Sequence, residues 1–519
     1  MKASDVSGKK TVLIMIGVML SVFLSALDNT IAGTAMPRII SDLKGIELYA
    51  WPFTIYMLCS TISIPIFGRM ADLYGHKLTY FSGIAIFLAG SVLCGFSSNM
   101  PQLIVFRGIQ GVGGGTLIAN SFIIVGSLFP PAERAKYMGF VAAVIGLASI
   151  IGPMLGGVIT DGLSWHWVFF INIPVGLGAL SFILFALPGG EARSVKRKID
   201  LPGAVTFVIA LVPALLAFTW AGRIYAWSSP HIVGMFAFSA VMFIIFGLIE
   251  RKTVEPLIPL SLFKNPIFNL CIVDVFFVSC LMFGAVMLVP LFVQNVLGAN
   301  ATTSGAMIMP MTVSLVIGGA ITGVLIAKTG RYKIFGLAAM LIIVAGAFML
   351  QQIDEQSSSS RIILTLTILG AGIGITMPVF DLASQNAFPQ SQLGLVTSMI
   401  QFSRNIGGTI GSAILGSIML SHMNAGIARL SETNLSPVMK GLVENSQFAV
   451  ETQLLNRAGV GLSDVHQLLG QLKTIQANSI HQAFLVSFWV GVVGLAAILF
   501  LKEIPLRKTN EKMEVHSRS

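Results

Sequence analysis

Charge is what this chain has least of. Only 10% of its 519 residues are Asp, Glu, Lys or Arg, against about 25% in a soluble globular domain. A water-soluble fold cannot cover itself with so few charged groups, so soluble classes are excluded. The rest of the composition, 55% hydrophobic with a mean hydropathy of +0.85, describes an integral membrane protein. Cysteine is scarce as well. Cys59, Cys94, Cys271 and Cys280 all lie inside apolar runs and read as small core residues, so neither a disulfide framework nor a thiolate metal site is expected. The seven histidines are scattered without metal-ligand spacing. No G-x-x-x-x-G-K-[ST] loop is present, which leaves an ATP-driven pump unsupported. No cofactor or metal is expected. The formal charge of +10 does not indicate nucleic acid, because the basic residues are spread over short loops without interleaved aromatics.

What the chain has in abundance is long apolar runs. A bilayer core of about 30 Å needs about 20 apolar residues per helix. Runs of that length are predicted at 11–35, 50–70, 78–97, 101–127, 137–160, 165–187, 201–220, 230–250, 267–293, 304–327, 334–352, 361–383, 394–420 and 482–502, fourteen in all. The first is long and lacks a small-residue cleavage site, so it reads as a span and not a removed signal. An even number puts both termini on one side. With that side cytoplasmic, inner segments hold 22 of the 32 basic residues, as the positive-inside rule requires. The longest polar segment, 421–481, then lies outside. Val465, Leu468, Leu469, Leu472 and Ile475 keep helical spacing in it, and it reads either as an amphipathic surface helix with a lid function or as an ordinary hairpin.

Two loops resemble one another. "GRMADLYGHK", 68–77, follows the second span and "GVLIAKTGRYK", 323–333, the tenth. If the tenth span is the second of another copy, the chain divides into an N-terminal six-helix bundle (1–190), an inserted pair (191–265), a C-terminal six-helix bundle (266–502) and a tail (503–519). Two parallel six-helix halves with a site between them at the midplane is a transporter plan.

Several motifs in order carry a family resemblance. The first loop is similar to the signature G-x-L-a-D-R-x-G-R-K at Gly68, Ala71, Asp72, Gly75 and Lys77, departing from it at Met70, Leu73 and His76. "LIVFRGIQGVGGG" (103–115) resembles a fourth-helix signature through Leu103, Arg107, Gln110, Gly111 and Gly113. "GLASIIGPMLGG" (146–157) resembles a fifth-helix antiporter signature through Gly146, Gly152, Pro153, Gly156 and Gly157. "LDNTIAGTAMP" (27–37) and "WHWVFFINIPVG" (165–176) resemble hallmarks of the first and sixth helices. Together they resemble the major facilitator superfamily, and within it the fourteen-helix drug:proton antiporter branch, over nearly the whole chain. The resemblance implies an all-α major facilitator fold.

It also implies roles. Gly68, Asp72, Gly75, His76 and Lys77 would form a latch in which Asp72 engages a helix N-terminus and nearby cations; the alternative is a solvated loop. Histidine stands at His76 where the signature prefers arginine, which makes the cationic side of the latch titratable. Gly152, Gly156 and Pro153 place small residues one turn apart beside a helix breaker, for close packing or bending. Asp28 closes the apolar run that begins at Thr11. It either snorkels to the outer interface or lines the transport path as the proton carrier, with Arg107 and Gln110 governing it. Arg107 itself sits near the outer end of its helix or deeper. Asp274 is a second candidate carboxylate, Asp381 a weaker one, and Arg404 reads as structural. The expected protein is a monomeric, multi-pass exporter of the cell membrane. It exchanges protons for small lipophilic, cationic compounds by alternating access and has no enzyme activity. A lipid or glycolipid exporter is the alternative, with a channel or membrane enzyme behind it.

Overall fold

The computed structural model describes residues 8–44, 48–49, 51–188, 200–222, 224–299, 301–431 and 462–506. Lipid offers backbone groups no partners, so each apolar run closes its own hydrogen bonds as a helix. The helices are α1 (Gly8–Leu43), α2 (Trp51–Tyr74), α3 (His76–Gly95), α4 (Met100–Leu128), α5 (Pro131–Gly162), α6 (His166–Phe170) and α7 (Asn172–Ala186). They continue as α8 (Leu201–Trp220), α9 (Pro230–Lys252), α10 (Pro266–Asn295), α11 (Ala301–Thr329), α12 (Lys333–Gln351), α13 (Ser359–Asn386), α14 (Leu393–Ser431) and α15 (Leu462–Leu499). With α6 and α7 counted as one broken span, fourteen among the described residues are long and apolar enough to cross a membrane. Some helix starts carry side-chain caps: Asn99 accepts from Gln102 N at 3.0 Å, Asp200 from Gly203 N at 2.9 Å and Asn265 from Ile267 N at 3.0 Å.

The span positions agree with the sequence reading, but several ends do not. The first helix runs on to Leu43 through Pro37, and α14 continues to Ser431. The stretch expected as a separate surface helix is the beginning of α15, which enters the last span without a break. Once started, a helix extends for as long as its neighbours support it, and hydropathy marks only the part in lipid. The centre of the long polar segment, 432–461, and most of the tail, 507–519, lie outside the described residues.

Helices α1 to α7 pack together, and α10 to α15 do likewise. The two groups meet along two seams, α2 with α14 and α5 with α11. Each seam joins the second helix of one group to the fifth of the other, the relation produced by a two-fold axis along the membrane normal. The pair α8 and α9 breaks this symmetry. Phe207 and Leu211 of α8 join Leu58 and Ile62 of α2, Phe268 of α10 and Leu395 and Met399 of α14 in one apolar cluster, so α8 covers the α2/α14 seam. Burial grades accordingly. In its most apolar stretch α4 is 89% buried and α9 only 17%, which makes α4 the axis of the first group and leaves α9 facing lipid.

Candidate functional site

The deepest polar cluster lies inside the first group. Asp28 of α1 is 1% exposed and Arg107, two turns into α4, is fully buried. Arg107 Nη1 donates to Asp28 Oδ2 at 2.5 Å and to Gln110 Oε1 at 2.9 Å. Gln110 Nε2 and Asn172 Nδ2 both donate to Asp28 Oδ1, at 2.7 and 2.8 Å. Ser91 of α3 accepts from the same two amides, at 3.2 and 2.9 Å, and donates to the Phe169 carbonyl at 2.8 Å. The other face of the guanidinium lies 4.3 Å from the centroid of the Tyr56 ring, a cation–π contact. Helices α1 to α4 and the α6/α7 break therefore converge on one ion pair.

Asp28, Arg107 and Gln110 are brought together in one buried cluster. Asp28 is enclosed by its partners and does not reach the surface between the halves in this conformation. The alternative of a snorkelling Asp28 fails, since no part of its side chain is exposed. Tyr56, Ser91 and Asn172 were not singled out by sequence reasoning. Asn172 had a signal, a lone amide in the apolar "FFINIP" segment. It stands at the α6/α7 junction, where the break turns its side chain inward.

Asp274 lies elsewhere. On α10 it is fully buried inside the second group, near Gly494 of α15, and neither carboxylate oxygen has a hydrogen-bond partner. Asp381 of α13 and Arg404 of α14 form a looser buried pair at 3.4 Å, with Gln401 Nε2 at 3.5 Å. Among the described residues no hydrogen bond or ion pair joins either carboxylate to Asp28.

The loop motif forms a cross-half contact. Asp72 accepts from the backbone N–H groups of Gly394 at 2.9 Å and Leu395 at 2.8 Å, at the start of α14. The unpaired N–H groups and the positive end of the helix dipole favour an anion there. Gly68 is seated so close to the Ser398 side chain that no Cβ fits. Gly75 has a φ of +92°, open to glycine at no cost. Lys77 takes no part in that contact. Its Nζ donates to the Leu184 carbonyl at 2.7 Å, at the C-terminal end of α7. Lys333 does the same in the second group, donating to the Leu499 carbonyl at the end of α15 at 3.2 Å. The repeated lysine is therefore a C-terminal cap within each half, where a cation complements the dipole. His76 keeps a buried Nδ1 with no hydrogen-bond partner. Arg69 reaches out of the motif instead, pairing at 2.6 Å with Glu255 in the segment between α9 and α10.

The glycines of α5 divide by partner. A Cβ at Gly152 or Gly156 would strike Thr30 or Thr34 of α1, and one at Gly146 would strike Val316 of α11. At Gly157 it would meet nothing. Pro153 sits within α5, at the level where its contacts pass from α11 to α1.

Two pseudo-symmetric six-helix groups, in contact along two seams and carrying a buried ion pair in one of them, define a secondary-transporter fold. The chain belongs to the major facilitator superfamily: the sequence profile described as Major Facilitator Superfamily matches residues 18–412. Among its relatives, "Multidrug transporter protein MdtP" of Bacillus subtilis is 39% identical, the alignment covering 97% of this chain and 95% of that protein. "Multidrug resistance protein 3" of the same organism is 34% identical, with 96% and 97% covered. The solved proton:xylose symporter XylE shares the fold at a TM-score of 0.61 and 13% identity, with 96% and 97% covered. The protein is thus a multi-pass protein of the cell membrane.

Proposed function

We propose that the protein is a proton-coupled exporter of small lipophilic, cationic compounds. Export is supported by the names of its relatives and by its fifth-helix glycine motif. Proton coupling is supported by one observation above all, the Asp28–Arg107 pair sealed between α1 and α4.

The pair suggests how coupling would arise. A proton on Asp28 removes the anion that neutralises Arg107 and leaves a buried cation unpaired. Breaking a buried pair from one side costs about 3–5 kcal/mol, so parting the pair and moving α1 against α4 would go together. A shift of α1 and α4 would give the guanidinium water or another acceptor. Protonation and rearrangement are then one event. From the Lys and Arg asymmetry we take the Asp72 end of the bundle as cytoplasmic. With Asp72 on α14 and Gly68 against Ser398, this conformation has that end shut, which is the state that releases compound outward.

The test is ethidium efflux from cells expressing the protein, with and without an uncoupler, beside Asp28→Asn. The expected result is uncoupler-sensitive efflux, abolished in Asp28→Asn at normal membrane abundance. Efflux at wild-type rate in that variant, with substrate-induced proton release intact, would remove Asp28 from the coupling.

A further inference from the structure

The α2/α14 seam is tight at the Asp72 end and parts towards the other, where it leaves a partly open cavity of about 190 Å³. Its wall comes from α2, α10 and α14 and, unexpectedly for a site between two six-helix halves, from Leu215 and Thr219 of α8. Beside it, Trp51 at the start of α2 and Trp220 at the end of α8 pack edge to face at 6.0 Å, so α8 is fastened to the first half where the cavity lies. No charged side chain is among its described lining residues.

Four of the hydroxyls in the wall have already committed their protons. Thr61 donates to the Met57 carbonyl at 2.7 Å, Thr219 to Leu215 at 2.8 Å, and Thr409 to Asn405 and Ser412 to Thr409, each at 3.0 Å. A hydroxyl that donates to its own helix has only acceptor lone pairs left to offer. The cavity therefore presents acceptors and no carboxylate. Phe53 and Phe283 supply aromatic surface beside them. In size it exceeds the roughly 150 Å³ cavity that holds benzene, enough for one fused ring system.

We propose that this cavity is a ligand subsite completed by the inserted helix α8, which takes an aromatic ring bearing an N–H donor and does so without requiring a positive charge. As a subsite for exported compounds it rests on the exporter reading, but its occupancy is measurable without transport. The inserted pair then has a binding task, which its lipid-exposed partner α9 does not share.

The experiment is fluorine NMR of 5-fluoroindole, and of its N-methyl analogue, with the purified full chain in nanodiscs. The wild type should bind the N–H compound about three- to tenfold more tightly, the discrimination of one hydrogen bond. Leu215→Trp fills the space and should reduce binding to that of empty nanodiscs; Thr219→Phe fills it from the next turn and replaces Leu215→Trp should that variant not accumulate. Thr219→Val or Thr409→Val should retain binding while bringing the ratio of the two compounds towards one. Equal affinity of both compounds for the wild type, or unchanged binding in a well-folded filled variant, overturns the assignment. Ethidium efflux separates the two readings. A chain that binds indole by these criteria but exports nothing refutes the exporter reading and leaves the subsite standing, whereas export together with a failed indole test refutes the subsite alone.

Discussion

Arg107 shows how a single side chain can be supported on one side and exposed to loss on the other. Its Nη1 serves both Asp28 and Gln110, while Nε and Nη2 are buried with no hydrogen-bond partner and rely on the Tyr56 ring. Removing one member of such a pair should hurt more than removing both. Arg107→Ala and Asp28→Asn are each expected to lower the unfolding free energy in detergent by about 3–5 kcal/mol, and the double variant to lose less than their sum by more than 1 kcal/mol. Thermal unfolding of the four proteins measures this, and strict additivity would deny the coupling. The individual candidates were legible, because a carboxylate and a guanidinium inside apolar runs need partners. That they are one another's partners was not legible. They lie 79 positions apart, on helices whose relative rotation no local pattern specifies.

Among the elements, α5 and α14 do most to set the conformation. Pattern reading treats the glycines of α5 alike, whereas packing separates them. Gly152→Ala and Gly156→Ala should each cost about 1–3 kcal/mol by overpacking against α1. Gly157→Ala, which meets nothing, should be neutral or slightly stabilising through helix propensity. Thermal stability of the three variants checks this, and a Gly157→Ala defect equal to the others would refute the steric account. At the start of α14, Asp72→Asn removes a charge from the helix N-terminus, an interaction of about 0.3–2 kcal/mol. Spin labels at Tyr74 and Ser391, across the closed end, should show the separated population rising about two- to thirtyfold. No change would mean that Asp72 does not hold this end closed. The aspartate–helix contact was anticipated from the motif. The cap made by Lys77 was not, because a lysine at a loop end looks the same whether it reaches across the seam or back to its own half.

For the whole molecule, the inserted pair is the asymmetric feature. It covers the α2/α14 seam but not the α5/α11 seam, and Arg69–Glu255 ties it to the loop motif of the first half. Glu255→Gln should therefore shift the same spin-label distances in the same direction as Asp72→Asn, but by less, since the Glu255 side chain is 26% exposed and its charge is partly screened. A shift in the opposite direction would show that the inserted pair pulls the halves apart. Composition by itself determined that the chain is embedded in lipid. The spacing of its apolar runs determined the number and place of the spans, because a helix is the only local answer that lipid permits. Ordered motifs determined the family. Only the tertiary structure decided which carboxylate meets the arginine, that Asp28 is enclosed while Asp274 is buried without a partner in the other half, and that α8 lies against one seam. These are questions of helix rotation and of which helices become neighbours, and they are settled by side-chain packing between segments far apart in the chain, about which hydropathy carries no information.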